Sequence, residues 1–165
     1  MPPRTDLDHP GVRRVVDALT AAGLPGADTV RILPAEVRTA AQAAATLGVP
    51  VGAIANSLVF DADGVPVLAL TSGAHRVDTK GLADLLGAQR LRMADPGFVR
   101  QHTGQPIGGV APTGHPRPIR TLVDVQLRDH AQVWAAAGHP RALFPTTFDE
   151  LLAITGGRPA RLATP

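Results

Sequence analysis

Side chains capable of catalysis or metal binding are few and scattered in this chain of 165 residues. Its six histidines show neither HxH nor HExxH spacing, and without any cysteine a zinc site is not expected. Ser57 and Ser72 are the only serines, and neither lies in a GxSxG elbow that would expose a nucleophile. No GxxxxGKS/T or GxGxxG motif occurs, so a nucleotide-phosphate loop is not predicted either. We therefore expect no metal and no organic cofactor.

The segment GQPIGGVAPTGHP, residues 104–116, is distinctive because it combines four glycines with three prolines. Gly108 and Gly109 lack the Cβ atoms that would hold a ligand away from the backbone, while the prolines limit the conformations of the loop. Rigidly held amide N–H groups are what an oxyanion hole or a carbonyl clamp requires. The alternative is a tight surface turn between two strands, which is the more common role of such loops.

Four further stretches surround this loop in a characteristic order. They are LGVPVGAIANSLVF, TSGAHRVDTKGLADLLGA followed by LRMADPGFVRQHTG, the strand RTLVDVQL, and AAGHP followed by TFDELLAITGG. In this order and spacing, the chain from about residue 33 to residue 162 resembles the YbaK/aminoacyl-tRNA synthetase-associated family. That family contains the free-standing relatives of the editing domain inserted in bacterial prolyl-tRNA synthetase.

The resemblance implies an enzyme that hydrolyses the ester of mischarged tRNA, in particular tRNA for proline. It places the family's GxxxP element at Gly108–Pro112, with Gly108, Gly109 and Val110 as backbone donors, Pro112 fixing the loop and Ala111 contacting the substrate. The implied partners are the aminoacylated 3′ end of tRNA and, as a further candidate, an aminoacyl-tRNA synthetase. Because the ribose oxygen is already a competent leaving group, positioning and charge stabilisation could supply much of the rate without a protein nucleophile.

One position departs from the family pattern. Where many members carry lysine in a motif similar to VKTLVF, this chain reads AIANSLVF, with Asn56 at the lysine position. Asparagine hydrogen-bonds but carries no charge, so we expect it to contact the ribose, the phosphate or the amino acid. The alternative is a strand-edge residue bonded to local backbone. The departure keeps two rival functions open: a binding module of the same fold without activity, and a hydrolase of another small acyl ester.

Two further segments lie beside the pocket in the family. They contain the candidate substrate-binding residues Ser72, Gly73 and His75, after the predicted hairpin, and Gly138 and His139 in AAGHP. Each histidine is by itself more typical of a surface or capping residue than of a catalytic base, because the sequence places no carboxylate to orient it.

The charge balance does not by itself indicate a nucleic-acid binder, since the net charge is only +2. With 3% aromatic residues a base-stacking platform is not expected, so any RNA contact should be to phosphate and shape. Fifteen of the sixteen basic residues are arginines, which pair with phosphate through two N–H groups. Seven of them could form a basic surface, with a solvated mixed-charge surface as the more common alternative: Arg13, Arg14, Arg90, Arg92, Arg100, Arg117 and Arg120.

The elements that must position these residues follow from periodicity and capping signals. Helices are predicted at residues 10–22, after Thr39 up to Gly48, after Asp78 or Thr79 up to Gly87, from the Asp95-Pro96 pair, and after Thr147. Strands are predicted at 56–60 and 65–70, which form a hairpin around DADG, and in the segments DTVRILPA, LRM, PIRTLVDVQL, QVWAAAG and RALFPTT. Strands and helices do not alternate regularly.

This pattern predicts a single α+β domain with a mixed, mostly antiparallel sheet surrounded by helices, as in the editing domain of prolyl-tRNA synthetase. Residues 1–32 are predicted to form an N-terminal helix and lead-in packed on the domain, and residues 33–162 the editing domain itself. No apolar run approaches the roughly 18 to 20 residues that span a bilayer, and the N-terminus lacks the apolar stretch of a signal peptide. We therefore expect a cytoplasmic protein without membrane contact.

Overall fold

The computed structural model describes residues 8–34 and 37–163, which contain five α-helices and eight strands. The helices are α1 (Pro10–Ala21), α2 (Ala40–Leu47), α3 (Thr79–Leu86), α4 (Pro96–Thr103) and α5 (Phe148–Thr155). The strands are β1 (Arg31–Ile32), β2 (Ile54–Ala62), β3 (Val65–Ser72), β4 (Leu91–Met93), β5 (Arg120–Asp124), β6 (Val133–Ala136), β7 (Ala142–Thr146) and β8 (Arg158–Ala160). In this part of the chain no helix is long and apolar enough to cross a membrane.

The strands form one sheet in the order β1-β7-β6-β2-β3-β5-β8, with β4 pairing the far end of β2. The pairs β2–β3, β2–β4, β6–β7 and β1–β7 are antiparallel, whereas β2–β6, β3–β5 and β5–β8 are parallel. The predicted α+β fold with a mixed, mostly antiparallel sheet is thereby confirmed. Strand β8 was not predicted, because a three-residue edge strand containing proline carries no alternating pattern.

Strand β2 has a break in its pairing along one edge. On that edge β6 pairs with Ile54 and Ala55, and β4 pairs with Phe60–Ala62. Between them no described residue pairs with this edge as a strand, although the Val59 carbonyl accepts a hydrogen bond of 3.1 Å from the Ala94 N–H. This break leaves room beside residues 56–58 for other parts of the chain.

Helices α2 to α5 begin after capping side chains and end at glycines, where the sequence predicts. Thr39 forms a complete capping box with Gln42, and α2 ends at Gly48 in the left-handed conformation. Asp78, Asp95 and Thr147 likewise cap α3, α4 and α5.

Two strand boundaries differ from the prediction. The segment DTVRILPA forms only the two-residue strand β1, since its first residue belongs to a 3₁₀ helix (Pro25–Asp28), and its last, residue 35, lies outside the described residues. Strand β5 ends at Asp124, because its carboxylate accepts a 3.0 Å hydrogen bond from the Gln126 N–H and turns the chain into a short 3₁₀ helix.

Helix α1 belongs to the core of the molecule. Val12, Val15 and Leu19 repeat at helical spacing and are fully buried in the main apolar cluster. The helix also approaches the chain at Gly138, where a Cβ atom would overlap the carbonyl oxygen of Gly11. The domain boundary at residue 32 stays a prediction, but the described part of the N-terminal segment packs against the rest.

We predict that Gly138→Ala destabilises the protein by roughly 2 to 5 kcal/mol, because the substitution adds overpacking to a backbone φ of +89°. Gly156→Ala is the matched control, since Gly156 also has a positive φ, +62°, but no neighbouring atom within 4 Å of the added Cβ. It should cost only roughly 1 to 2 kcal/mol. Urea unfolding measures both free energies, and equal losses would contradict the close packing of α1.

Candidate active site

A cavity of about 360 Å³ lies beside the first half of β2. One wall is formed by α2 and the segment before it, and another by the loop of residues 104–116, which we call the glycine loop. Apolar side chains dominate the lining, among them Ala43, Ile54 and Leu143. The volume lies at the lower end of the range of small-molecule sites, roughly 300 to 1,000 Å³.

The two adjacent glycines of the loop are required for different structural reasons. Gly108 occupies the third position of a turn closed by a 2.9 Å hydrogen bond from the Gly109 N–H to the Pro106 carbonyl, and its φ is +86°. Gly109 packs against the backbone of the turn before β7, where a Cβ would come within 2.6 Å of the carbonyl carbon of His139. The loop is thus held at a defined distance from its neighbour.

Hydrogen bonding within the loop determines which backbone groups remain free. The Gly109 N–H is used in the turn, and the Ala111 N–H donates to Oε1 of Gln105 at 2.7 Å. Gly108 and Val110 both line the cavity, and within the described residues their N–H groups have no hydrogen-bond acceptor. Of the three backbone donors predicted from the sequence, the Gly109 N–H is used within the loop, and the role of the other two in binding a substrate stays a prediction.

Asn56 lies on the cavity as the third residue of β2, with an exposed side chain. No described residue hydrogen-bonds to its side-chain amide, so the alternative of a bond to local backbone is not observed in this part of the chain. An amide at this place offers both a donor and an acceptor to a ligand.

Comparison with known families identifies the domain to which the chain is similar. The model of the aminoacyl-tRNA editing domain matches residues 34–154. The chain belongs to the aminoacyl-tRNA editing domain family. The resemblance inferred from the sequence motifs is thereby confirmed.

Relatives of this editing domain occur both as parts of larger proteins and as proteins of similar length. The proline-tRNA ligase of Nitratidesulfovibrio vulgaris (strain Hildenborough) is 34% identical over 122 residues, which are 74% of this chain but only 20% of the ligase. YwhH of Bacillus subtilis (strain 168) is 35% identical over 114 residues, 68% of this chain and 72% of YwhH. The crystal structure of a candidate trans-editing enzyme for prolyl-tRNA synthetase has 44% identity and a TM-score of 0.87, covering 94% of this chain and 98% of that one.

Three predicted substrate-binding residues of the editing domain lie outside the cavity lining. The Ser72 hydroxyl donates to the Gly52 carbonyl at 2.9 Å, and the Ser72 N–H donates to Oδ2 of Asp124 at 3.0 Å. The same oxygen contacts Nε2 of His75 at 2.5 Å, so a carboxylate 49 residues away orients this histidine. Gly73 lies directly behind the wall, against Ala40. Their roles in substrate binding stay predictions.

The other secondary candidates support the wall from behind. Gly138 packs against Gly11 of α1, and the ring of His139 packs edge-on against His9 with 5.0 Å between ring centroids. Neither lines the cavity, although Pro140 beside them does. Ala111 and Pro112 are buried in the loop and are likewise absent from the lining. Contact of these four residues with a substrate stays a prediction.

Gln105 is the residue that sequence reasoning missed. Its side chain is 1% exposed and spans the glycine loop, accepting from the Ala111 N–H and donating to the Thr113 carbonyl at 3.3 Å. A buried amide needs such partners, and here they hold the loop from inside. Glutamine is common on surfaces, so its type alone gave no signal. Among residues 8–34 and 37–163, no group of three or more metal-ligating side chains is assembled.

We predict that Gln105→Ala lowers the free energy of unfolding by about 1 to 3 kcal/mol, since the Ala111 N–H would be left buried without an acceptor. Hydrogen exchange at Ala111 should become faster than in the wild type. Gln101→Ala, an exposed glutamine on α4, is the matched control and should change neither quantity. Unchanged exchange at Ala111 in Gln105→Ala would contradict this role.

His115 couples the loop to pH. Its Nε2 lies 2.7 Å from the Ala111 carbonyl, so this nitrogen carries the donated proton. Burial lowers the pKa of His115 below its ordinary value of 6.5, although the bond to Ala111 raises it in part. A histidine held neutral in the folded state stabilises the protein fully above pH 6.5, and this contribution is lost as the pH falls through the lowered pKa.

The expected outcome is a free energy of unfolding that decreases between about pH 7.5 and pH 5.5, with a shallower decrease in His115→Gln. Glutamine keeps an N–H donor at this place but does not titrate. Urea titrations at several pH values test this directly. Parallel curves for the two proteins would show that His115 does not contribute.

Proposed function

We propose that this editing domain acts in trans as an aminoacyl-tRNA deacylase, hydrolysing the ester of mischarged tRNA for proline. The observation that carries the proposal is that Gly108 and Val110 line an apolar cavity and that their N–H groups have no acceptor among the described residues. Such donors stabilise the negative charge that develops on the carbonyl oxygen of an ester. Sequence likeness to proline-tRNA ligases supports the choice of tRNA.

The reaction would proceed by addition of water to the ester carbonyl. The water oxygen bonds to the carbonyl carbon, the bond from that carbon to the ribose oxygen breaks, and a proton of the water passes to the ribose oxygen. The products are the free amino acid and tRNA with its terminal hydroxyl restored. Gly108 and Val110 would donate to the oxyanion during this step.

No described residue lining the cavity is a histidine or a carboxylate. We propose that the lining residues contribute binding, orientation and charge stabilisation, and that the water is activated by its position or by the neighbouring ribose hydroxyl. Asn56 would hold the ribose or the amino acid through its amide. A synthetase is proposed as a protein partner, and the cytoplasm, where charged tRNA is used, as the location.

The test is deacylation of a panel of tRNA for proline carrying alanine, serine, threonine or cysteine, with correctly charged tRNA as the control substrate. We expect turnover of at least one mischarged species by the wild type. Gly108→Ala should reduce kcat about tenfold or more, because a Cβ at positive φ displaces the turn; loss of one such donor costs roughly 10² to 10³ in kcat.

Gly64→Ala is the matched control for backbone strain. Gly64 has a φ of +87° in the β2–β3 turn, no neighbour within 4 Å and no place on the cavity. The Gly64→Ala substitution should lower the free energy of unfolding by a similar amount, roughly 1 to 2 kcal/mol, and should leave the deacylase activity unchanged. Equal loss of activity in Gly108→Ala and Gly64→Ala would contradict a specific role of the glycine loop in catalysis.

Two results would contradict deacylation itself. Tight binding of aminoacylated tRNA without turnover would identify a binding module, and a gain of turnover in Asn56→Lys would then show that only a charge is lacking. Turnover of a small acyl ester but of no mischarged tRNA would assign a different hydrolase activity.

A further inference from the structure

We infer that Arg38 binds the last phosphate group of the tRNA 3′ end at the mouth of the cavity. This inference rests on the proposed function, because it names the group that recognises the nucleotide part of the same substrate. Arg38 lies in the segment before α2 and lines the same cavity as Asn56 of β2 and Gly108 of the glycine loop.

Charge at the cavity points to an anionic ligand. Among the described residues that line it, Arg38 is the one charged side chain, and no carboxylate accompanies it. Its side chain is exposed to solvent. A lone guanidinium at the rim attracts phosphate and repels the ammonium group of an aminoacyl ester. The substrate is therefore oriented with its phosphate towards Arg38 and its ester towards Gly108 and Val110.

The guanidinium of Arg38 has no partner among the described residues, unlike those of several other arginines. Arg92 pairs with Asp61 at 3.3 Å, and the guanidinium of Arg128 lies 4.8 Å from the ring centroid of Phe148. Arg38 has neither an acidic nor an aromatic partner in the described part of the chain. A free guanidinium offers two parallel N–H donors, which match the oxygens of a phosphate.

The backbone of Arg38 is nevertheless held in place. Its N–H donates to Oε1 of Gln42 at 2.6 Å, and the same oxygen accepts from the Thr39 N–H at 3.2 Å. The Gln42 N–H returns a bond of 3.1 Å to Oγ1 of Thr39. This capping box fixes the point from which the Arg38 side chain extends, so less entropy is lost when it closes on a phosphate.

The test is a thermodynamic cycle with a non-hydrolysable probe, 3′-alanylamino-3′-deoxyadenosine 5′-monophosphate, and the same compound without its phosphate. Calorimetry should show that the wild type binds the phosphorylated probe about 10 to 100 times more tightly, as expected for hydrogen bonds to a charged group. In Arg38→Gln this preference should disappear, and Arg38→Lys should restore part of it. Arg158→Gln, an exposed arginine on β8 and outside the cavity lining, is the matched control and should bind as the wild type.

A preference for the phosphorylated probe that survives in Arg38→Gln overturns the inference, as does failure of the wild type to bind either compound. The deacylation panel separates this inference from the proposed function. If the wild type turns over mischarged tRNA and Arg38→Gln has the same kcat/KM, the role of Arg38 is contradicted and the proposed deacylase activity stands. Phosphate-dependent binding through Arg38 without turnover would support the role of Arg38 and contradict the proposed deacylase activity.

Discussion

The interrupted pairing of β2 is the constraint on which the site depends. β2 is joined to β3 along its whole length, but its other edge is shared between β6 at the start and β4 at the end. A continuous partner strand would fill the space beside Asn56. Because neither neighbour reaches the middle of β2, the glycine loop and the segment before α2 can form walls there, and the backbone of the sheet supplies a rigid floor.

Close backbone contacts fix the position of the glycine loop relative to the turn before β7 and to α1. Gly109 packs on the turn at His139, and Gly138 in that same turn packs on Gly11 of α1. Each contact excludes a Cβ atom, so the three segments are fixed at short distances from one another. Helix α1 lies outside the part matched by the editing-domain model, residues 34–154, yet it supports the wall of the cavity through this series.

Several polar groups inside the fold are held by hydrogen bonds, whereas Oγ of Ser57 and Nε1 of Trp134 are buried without a partner among the described residues. The carboxylate of Asp124 is fully buried and engages Ser72, His75 and Gln126, none of which lines the cavity. Gln105 likewise hydrogen-bonds within the glycine loop. The N–H groups of Gly108 and Val110 have no acceptor among the described residues, and this is the basis of their proposed role in binding the ester.

Local signals in the sequence determined most of the elements of this protein. The Thr39 capping box, the Asp63-Gly64 turn and the glycines after the helices act within a few residues, so their effect can be read without the fold. The ordered motifs likewise determined the family. The tertiary structure alone decided which amides of the glycine loop are free, that Asp124 meets His75, and that Arg38 shares a cavity with Asn56. These relations join residues far apart in the chain, and they depend on how the elements pack rather than on any local preference of the residues themselves.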